Sequence, residues 1–125
     1  PRHTHTLFLL GRALGKKGEY QEALKYLDDY ILLKPYNADA YIIAGYCYYC
    51  LGNYPLAIEN FNRSLNIRKD NPQAIYNIIR IYLKQGKRSE AVQLFNELKM
   101  LRPGHPRVEE LSAIFPPEKP RIIEQ

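Results

Sequence analysis

Two cysteines and three histidines are the residues of this chain whose types could support metal or redox chemistry. Cys47 and Cys50 form a C-x-x-C pair, a spacing found in thiol redox proteins and in zinc sites. A structural zinc site needs four ligands, and the sequence has no second pair to supply them. His3, His5 and His105 have no serine, cysteine or carboxylate at a spacing typical of a catalytic triad. We therefore expect free thiols, no metal, no cofactor and no enzymatic activity.

Both cysteines lie in a segment, residues 40–51, that has no charged or amide side chain and is predicted to be a helix. Its apolar residues recur with the spacing of one helix face, and the next segment repeats the pattern: Tyr41, Ala44, Gly45 and Tyr48, then Ala57, Ile58, Phe61 and Leu65. Gly52, between the two segments, can adopt the left-handed conformation that ends a helix. The sequence therefore predicts a helical hairpin whose helices approach closely at Gly45 and Ala57.

The hairpin pattern recurs with a period of 34 residues. Equivalent positions carry the same or similar residues: Gly18, Gly52 and Gly86; Ala23, Ala57 and Ala91; Leu27, Phe61 and Phe95. A fixed period of this length is typical of a solenoid, in which each unit buries its apolar face against its neighbours. We predict an all-α protein whose function lies on the continuous surface that stacking creates.

The residues at fixed offsets resemble those of tetratricopeptide repeats. The first unit supplies the pattern as Leu7, Leu10-Gly11, Leu14, Gly18, Tyr20, Ala23, Leu27 and Pro35. The third unit departs from it, with Ile79 in place of the close-packing glycine and Arg88 in place of an aromatic residue, which predicts a looser helix pair. The resemblance implies a right-handed superhelical solenoid of helix-turn-helix hairpins.

The resemblance also predicts the domain organisation. Residues 1–115 are expected to form a single domain, with repeats at about 4–37, 38–71 and 72–105. The segment 106–115 is predicted to be a capping helix with an apolar side formed by Val108, Leu111, Ile114 and Phe115. Residues 116–125 are rich in proline and mixed charge, and we expect an extended or mobile tail.

The composition limits the classes of partner. The net charge is +5, and the turn lysines Lys16 and Lys17 are expected to be solvated, with attraction of an acidic partner as the alternative. Nucleic acid is not expected, because it requires a denser basic patch beside aromatic residues. No run of about 20 apolar residues is present, so we expect no membrane insertion. Reduced cysteines fit a cytoplasmic location, and Pro1 in place of Met indicates a fragment or a processed chain.

The predicted binding residues lie one step beyond the core face of each first helix, on the side that stacking leaves open. They are aromatic, apolar and cationic: Phe8, Arg12, Ile42, Tyr46, Tyr49, Tyr76, Arg80 and Leu83. Aromatic residues and arginine are enriched in interface cores. Tyr46 and Arg80 are expected at the centre, with Arg12 and Arg80 flanking Tyr46. The alternative is that the central helix is simply apolar and its tyrosine hydroxyls contact only water.

Some members of the family hold the C-terminal carboxylates of Hsp70 and Hsp90 with a clamp of two lysines, two asparagines and an arginine. The equivalent positions here are Phe8, Arg12, Ile43, Gln73 and Asn77. Two carboxylates need several converging donors, so we expect the clamp to be absent.

The sequence favours a non-enzymatic protein–protein interaction module or scaffold that binds a peptide or a helix of a partner protein in its concave groove. Two alternatives stay open. One is a structural or self-association segment of a longer repeat array, and the other is a secretion-type chaperone for a partner protein.

Overall fold

The computed structural model describes residues 3–116, which form seven α-helices and no strand. The helices are α1 (Thr4–Lys17), α2 (Tyr20–Leu33), α3 (Ala38–Cys50), α4 (Tyr54–Ile67), α5 (Pro72–Lys84), α6 (Arg88–Leu101) and α7 (Pro106–Ser112). The first six pair as three successive hairpins, and each hairpin packs on the next. The predicted fold class, an all-α solenoid of helix-turn-helix hairpins, is confirmed. Apart from Pro116, the predicted tail lies outside the described residues.

Local sequence signals determine where the helices begin and end. Each hairpin turn contains a glycine with positive φ, as predicted for Gly52: Gly18 at 91°, Gly52 at 81° and Gly86 at 74°. Asparagine side chains accept hydrogen bonds from backbone N–H groups at three helix starts, those following Asn37, Asn53 and Asn71. Asparagine is a favoured N-cap residue because it satisfies an amide that has no partner within the helix.

The helices of the first two hairpins approach closely at a glycine. A Cβ atom added to Gly11 would lie 2.7 Å from Leu27 Cγ, and one added to Gly45 would lie 2.7 Å from Phe61 Cε1. The two pairs are equivalent positions of successive repeats, and Leu27 and Phe61 are fully buried. In the third hairpin Ile79 takes the place of the glycine, and α5 and α6 approach each other less closely along their length. The predicted looser pair is confirmed.

This close approach gives a testable stability difference between two helical glycines. Gly45→Ala is expected to destabilise the protein by up to about 2 kcal/mol, because overpacking costs about 1–3 kcal/mol and the better helix propensity of alanine offsets about 1 kcal/mol. Gly15→Ala makes the same chemical change, but its Cβ would lie 3.5 Å from Cys47 Sγ, an ordinary contact. We therefore expect Gly15→Ala to be neutral or stabilising. Urea titration of both variants measures the difference, and equal losses would contradict the described packing.

The six hairpin helices form two layers. Along the inner layer, α1 contacts α3 and α3 contacts α5, whereas within residues 3–116 the second helices α2, α4 and α6 make no comparable contacts with one another. The inner layer is therefore the more closely packed side of the stack, and its exposed surface is the concave face. We use that name for the surface formed by α1, α3 and α5.

The capping helix is shorter than predicted. It ends at Ser112, and residues 113–115 form a turn in which the backbone N–H of Phe115 donates to the Leu111 carbonyl at 2.9 Å. Pro116 disfavours helical backbone at the residue before it, which explains the early end. The turn buries Phe115 but leaves Ile114 44% exposed, so Ile114 does not belong to the apolar side as predicted.

Arg88, the departure from the repeat pattern, holds this C-terminal turn. Its guanidinium donates to the Ile114 carbonyl at 3.2 Å and lies 5.2 Å from the ring of Phe115. Phe115 in turn stacks on Phe95, with 5.2 Å between ring centroids. Where other repeats place an aromatic residue, Arg88 therefore contacts the C-terminal turn that follows α7.

Candidate functional site

The concave face is cationic. Asp39 is the only acidic residue of α1, α3 and α5, and it pairs with Arg68 at 3.6 Å. The cationic residues of the same helices are Arg12, Lys16, Lys17, Arg80 and Lys84. The second helices carry six acidic residues, Glu22, Asp28, Asp29, Glu59, Glu90 and Glu97, against four cationic ones, Lys25, Arg63, Arg88 and Lys99. This separation of charge between the two layers favours negatively charged ligands on the concave face.

A cavity of about 220 Å³ opens on the concave face, and we call it the groove cavity. All three inner helices contribute to its walls, which are formed by Arg12, Gly15, Lys16, Ile42, Ile43, Tyr46, Gln73 and Asn77. The isoleucines make its surface apolar, while α1 supplies two cations. Three predicted site residues, Arg12, Ile42 and Tyr46, are therefore brought together.

Asn77 is the buried polar residue of the groove cavity. Its side chain is 4% exposed, and within residues 3–116 its amide nitrogen Nδ2 has no hydrogen-bond partner. Buried polar groups are nearly always hydrogen-bonded, and leaving one unpaired costs about 1–3 kcal/mol. Asn77 therefore packs behind the groove cavity at a local energetic cost.

A cluster of aromatic and cationic side chains lies beside the groove cavity. Tyr46 is 39% exposed, and its ring centroid is 6.2 Å from that of Tyr49. The Arg80 guanidinium carbon lies 5.1 Å from the Tyr49 centroid and 5.7 Å from the Tyr76 centroid. Lys84 Nζ is 5.7 Å from the Tyr49 centroid. Arg80 therefore lies against the rings of Tyr49 and Tyr76. Its charge also acts on the Tyr46 hydroxyl, so it lies near Tyr46 as predicted.

The tyrosine hydroxyls of this cluster contact more than water. A hydrogen bond to Cys50 is the largest cause that raises the pKa of Tyr46, and a hydrogen bond to the same thiol raises the pKa of Tyr20 to about 12. Both hydroxyls stay neutral at physiological pH, so the charge of the concave face comes from its arginines and lysines. Cys47 and Cys50 are free, and burial raises the pKa of the Cys47 thiol to about 12.

Tyr76 is covered, contrary to the prediction that it offers its ring to a partner. It is 8% exposed, and its hydroxyl donates to Glu110 Oε1 at 3.0 Å. Arg107 lies over the ring at 4.2 Å from the centroid and also donates to Glu110. These hydrogen bonds, from Arg107 first and then from Tyr76, lower the pKa of Glu110. The cause of the burial is α7, which returns over α5.

Two other predicted residues contribute less directly. Leu83 is half-buried and packs against the core of the third hairpin. Phe8 is half-buried at the other end of the concave face, where its ring centroid lies 5.1 Å from that of Tyr30. The guanidinium carbon of Arg12 lies 5.7 Å from the centroid of the Phe8 ring. Both positions border the site, and neither lines the groove cavity.

Lys16 belongs to the site, although the sequence did not predict it there. It was expected to be a solvated turn residue together with Lys17, but Lys16 lines the groove cavity, whereas Lys17 pairs with Glu19 at 3.4 Å. The signal that could have identified it is its position one helical turn after Arg12. Ile43, Gln73 and Asn77 were considered only as positions of the missing clamp.

A second cavity, of about 320 Å³, lies between α2 and α4 on the outer side. Its walls mix both charges with apolar groups: Asp28, Ile31, Leu32, Tyr41, Tyr48, Leu56, Glu59, Asn60 and Arg63. We call it the outer cavity, and it competes with the groove cavity as a binding site. In the described part of the chain, no group of three or more His, Cys, Asp or Glu residues could hold a metal ion. The same residues include no helix long and apolar enough to cross a membrane.

Known protein families and curated sequences that resemble this chain contain the same kind of repeat. Two models of the tetratricopeptide repeat match residues 8–75 and 51–114. The tetratricopeptide repeat-containing protein trd-1 of Caenorhabditis elegans is 28% identical over 99 residues, which are 79% of this chain and 13% of that protein. A TPR repeat-containing protein of Methanocaldococcus jannaschii is 33% identical over 92 residues, 72% of this chain and 16% of its own length. The chain thus spans about a sixth or less of these relatives.

Solved structures share the fold at low sequence identity. The type III secretion chaperone SycD of Yersinia enterocolitica, in complex with a peptide of the translocator YopD, superposes with a TM-score of 0.81. It is 22% identical, and the match covers 91% of this chain and 87% of SycD. MamA superposes with a TM-score of 0.78 at 20% identity, covering 92% of this chain and 70% of MamA. At these identities the likeness shows the fold alone.

Proposed function

This chain belongs to the tetratricopeptide repeat family, and from that premise we propose that it is a protein–protein interaction module whose concave face binds a segment of a partner protein. The observation that carries the proposal is the groove cavity, where apolar walls, two cations and an unpaired buried amide meet on one face. The structure of SycD with a translocator peptide and that of PcrH with the chaperone binding region of PopD support it, because both proteins share this fold.

The site residues act in three ways. Ile42 and Tyr46 supply apolar and aromatic contact, the type of contact that dominates interface cores. Arg12 and Lys16 attract and orient polar groups of the partner beside the cavity. Arg80 presents charge at the neighbouring tyrosine cluster, where Tyr49 holds its guanidinium in place.

We propose no catalytic role for the chain. A buried Cys47 thiol with a pKa of about 12 is protonated at neutral pH and is a poor nucleophile. The pKa of Tyr46 is raised, chiefly by its hydrogen bond to Cys50, so this hydroxyl is likewise neutral. Free cysteines support the cytoplasm as the proposed location.

A structural role in a longer repeat array is the second candidate. Leu9 and Leu10 are exposed on α1, the helix at the open end of the stack, and the curated relatives are several times longer than this chain. Exposed apolar groups at the end of a solenoid are sites where a further repeat can pack. A secretion-type chaperone is favoured by the SycD likeness only at the level of the fold.

Affinity capture tests the proposal with one charge substitution in each cavity. Ile42→Glu places a carboxylate in the apolar wall of the groove cavity, and Leu32→Glu places one in the outer cavity. We expect the wild-type protein and Leu32→Glu to capture the same partner protein from a nuclease-treated native extract. Ile42→Glu is expected not to capture it. Urea titration checks that Ile42→Glu remains folded.

Retention of the same protein by Ile42→Glu, with loss from Leu32→Glu, would place the site in the outer cavity and refute the groove. Retention that disappears on nuclease treatment or collapses at moderate salt would instead indicate nucleic acid.

A further inference from the structure

The first helices of the second and third hairpins each turn one apolar face toward the hairpin that precedes them. Three positions spaced i, i+4 and i+7 form this face, and they recur with the 34-residue period: Ala40, Ala44 and Cys47 in α3, and Ala74, Ile78 and Ile81 in α5. All six side chains are buried. After α6, Val108 and Phe115 occupy the first and third of the equivalent positions and are also buried. The face is therefore an interface wherever a hairpin precedes it.

The same face of α1 is uncovered. Its three positions carry Thr6, Leu10 and Ala13, and all three residues are exposed. Leu10 is 40% exposed, whereas its equivalents Ala44 and Ile78 are 1% and 2% exposed. Within residues 3–116, α1 is thus the first helix whose packing face has no helix on it.

The helices that cover the equivalent faces share an apolar pattern. Each has an aliphatic residue followed three positions later by leucine or phenylalanine: Leu24 and Leu27 in α2, Ile58 and Phe61 in α4, and Val92 and Phe95 in α6. Each pair packs in the apolar cluster that contains the covered face of the next first helix. The connections at 34–37 and 68–71 are short, so the covering helix runs antiparallel to the helix it covers. The face of α1 therefore suits an antiparallel helix with the same pattern.

Charge at one end of this face specifies the partner further. α1 has no acidic residue, and Lys17 follows Ala13 by one helical turn on the exposed side. Its equivalent in the second repeat, Leu51, lines one small cavity together with Glu22 from the first turn of α2. A helix that covers α1 in the same way therefore places a residue of its first turn beside Lys17. A carboxylate there suits both the lysine and the positive end of the helix dipole.

The covering helix comes from outside the described residues. Within residues 3–116, no second helix is free to cover α1, because α2, α4 and α6 each pack on the helix that follows them. A second copy stacked head to tail would have to offer its α6, where the ring of Phe115 already stacks on Phe95.

We propose that the α1 face, formed by Thr6, Leu10, Ala13 and Lys17, binds an amphipathic helix of a partner protein. This helix carries an acidic residue in its first turn, and after it an aliphatic residue followed three positions later by leucine or phenylalanine. None of the four residues of the α1 face lines the groove cavity. The protein therefore has two separate binding surfaces, one at the end of the stack and one on its concave side.

The test uses a synthetic peptide of residues 20–33, the sequence of α2, as the probe. It carries Glu22, Leu24 and Leu27 at the required spacing, and a side-chain link on its far side holds it helical, because short isolated helices are marginal in water. We expect fluorescence anisotropy to show that this peptide binds the 125-residue protein. In the peptide, Leu27→Ser is expected to weaken binding about tenfold or more, since the partner loses its central apolar contact.

Leu10→Asp is the matched test on the protein. It places a carboxylate in the centre of the α1 face, so we expect it to weaken binding of the peptide about tenfold or more. Met100→Asp makes a comparable change at an exposed apolar residue of α6, and it is expected to leave binding unchanged. Ile42→Glu, in the groove cavity, is also expected to bind the peptide as the wild type does. Urea titration checks that Leu10→Asp remains folded.

A charge exchange tests the orientation of the helix. Lys17→Glu is expected to weaken binding of the peptide about threefold or more, because it brings two carboxylates together. A peptide with Glu22→Lys is expected to bind Lys17→Glu better than it binds the wild type. Lys16→Glu, in the wall of the groove cavity, is the control, and we expect it to show no such preference.

The outcomes separate this inference from the proposed function. Absence of peptide binding, or equal binding by the wild type and Leu10→Asp, would overturn the inference. Loss of the peptide from Ile42→Glu but not from Leu10→Asp would do the same, because the peptide would then occupy the groove cavity. Sedimentation that shows a dimer of the wild type and a monomer of Leu10→Asp would assign the α1 face to a second copy instead. Each of these results leaves the capture test of the concave face unaffected.

Discussion

Replacing Phe61 by alanine is expected to destabilise the solenoid by about 3–5 kcal/mol, the range measured for large aromatic residues in cores. Phe61 is fully buried, and its ring fills the space that Gly45 leaves open between α3 and α4. The same ring packs with residues of α5, so its loss weakens both the second hairpin and its contact with the third. The free energy of unfolding from urea titration measures the effect.

Tyr36→Ala is the matched control for this prediction. It also truncates an aromatic side chain, but Tyr36 is 83% exposed, so we expect a change within about 0.5 kcal/mol. The coupling to Gly45 can be tested as well. Gly45→Ala is expected to cost less in a Phe61→Ala background, because the truncated side chain leaves room for the added methyl group. Similar losses for Phe61→Ala and Tyr36→Ala would show that Phe61 is not a core residue.

Truncating the centre of the concave face is expected to abolish most of the binding. Tyr46→Ala and Arg80→Ala are each expected to weaken the complex with the captured partner by about 2 kcal/mol or more, roughly 30-fold. Tyr46 is partly exposed beside the groove cavity, and Arg80 presents a guanidinium fixed by two tyrosine rings. Titration calorimetry with the purified partner measures both losses.

Stability measurements separate the two variants. Tyr46→Ala is expected to leave the melting temperature nearly unchanged, because its ring is partly exposed. Arg80→Ala is expected to cost about 0.5–1 kcal/mol, since the cation–π contacts with Tyr49 and Tyr76 are lost. Leu32→Ala, in the outer cavity, is the control for binding. Unchanged affinity in both variants, with a loss in Leu32→Ala, would contradict the placement of the site.

The fold could be predicted from the sequence because each repeat position has one dominant physical requirement. Gly52 must adopt a positive φ at the hairpin turn, and Gly45 must leave room for Phe61. Such requirements are local or involve neighbours at a fixed spacing, so the 34-residue period shows the turn glycine three times and the close-approach glycine twice. The looser third hairpin followed from Ile79 for the same reason.

The site was less predictable because it depends on contacts between elements that the period does not relate. Tyr76 occupies an equivalent groove position by spacing, yet α7 covers it through Arg107 and Glu110. The turn that follows α7 and buries Phe115 against Phe95 has no counterpart in the repeats. Periodicity alone therefore could not show that one end of the groove is closed.

The net charge of each repeat does not show how charge is distributed between the inner and outer layers. Each repeat contains one inner and one outer helix, so a net charge per repeat sums the two layers. Charge counted by layer reveals a cationic inner surface in which Asp39 is the only acidic residue of α1, α3 and α5. The free amide of Asn77 required coordinates, because a sequence does not show which buried donors lack partners.

Site-specific photo-cross-linking tests the central claim most directly. A benzophenone side chain in place of Tyr46 reports what touches the concave face in living cells, and the same group in place of Leu32 reports what touches the outer cavity. The account predicts a covalent adduct with another protein from position 46 and none from position 32. Adducts that form from position 32 while position 46 stays unreacted would contradict the claim that the concave face binds a partner protein.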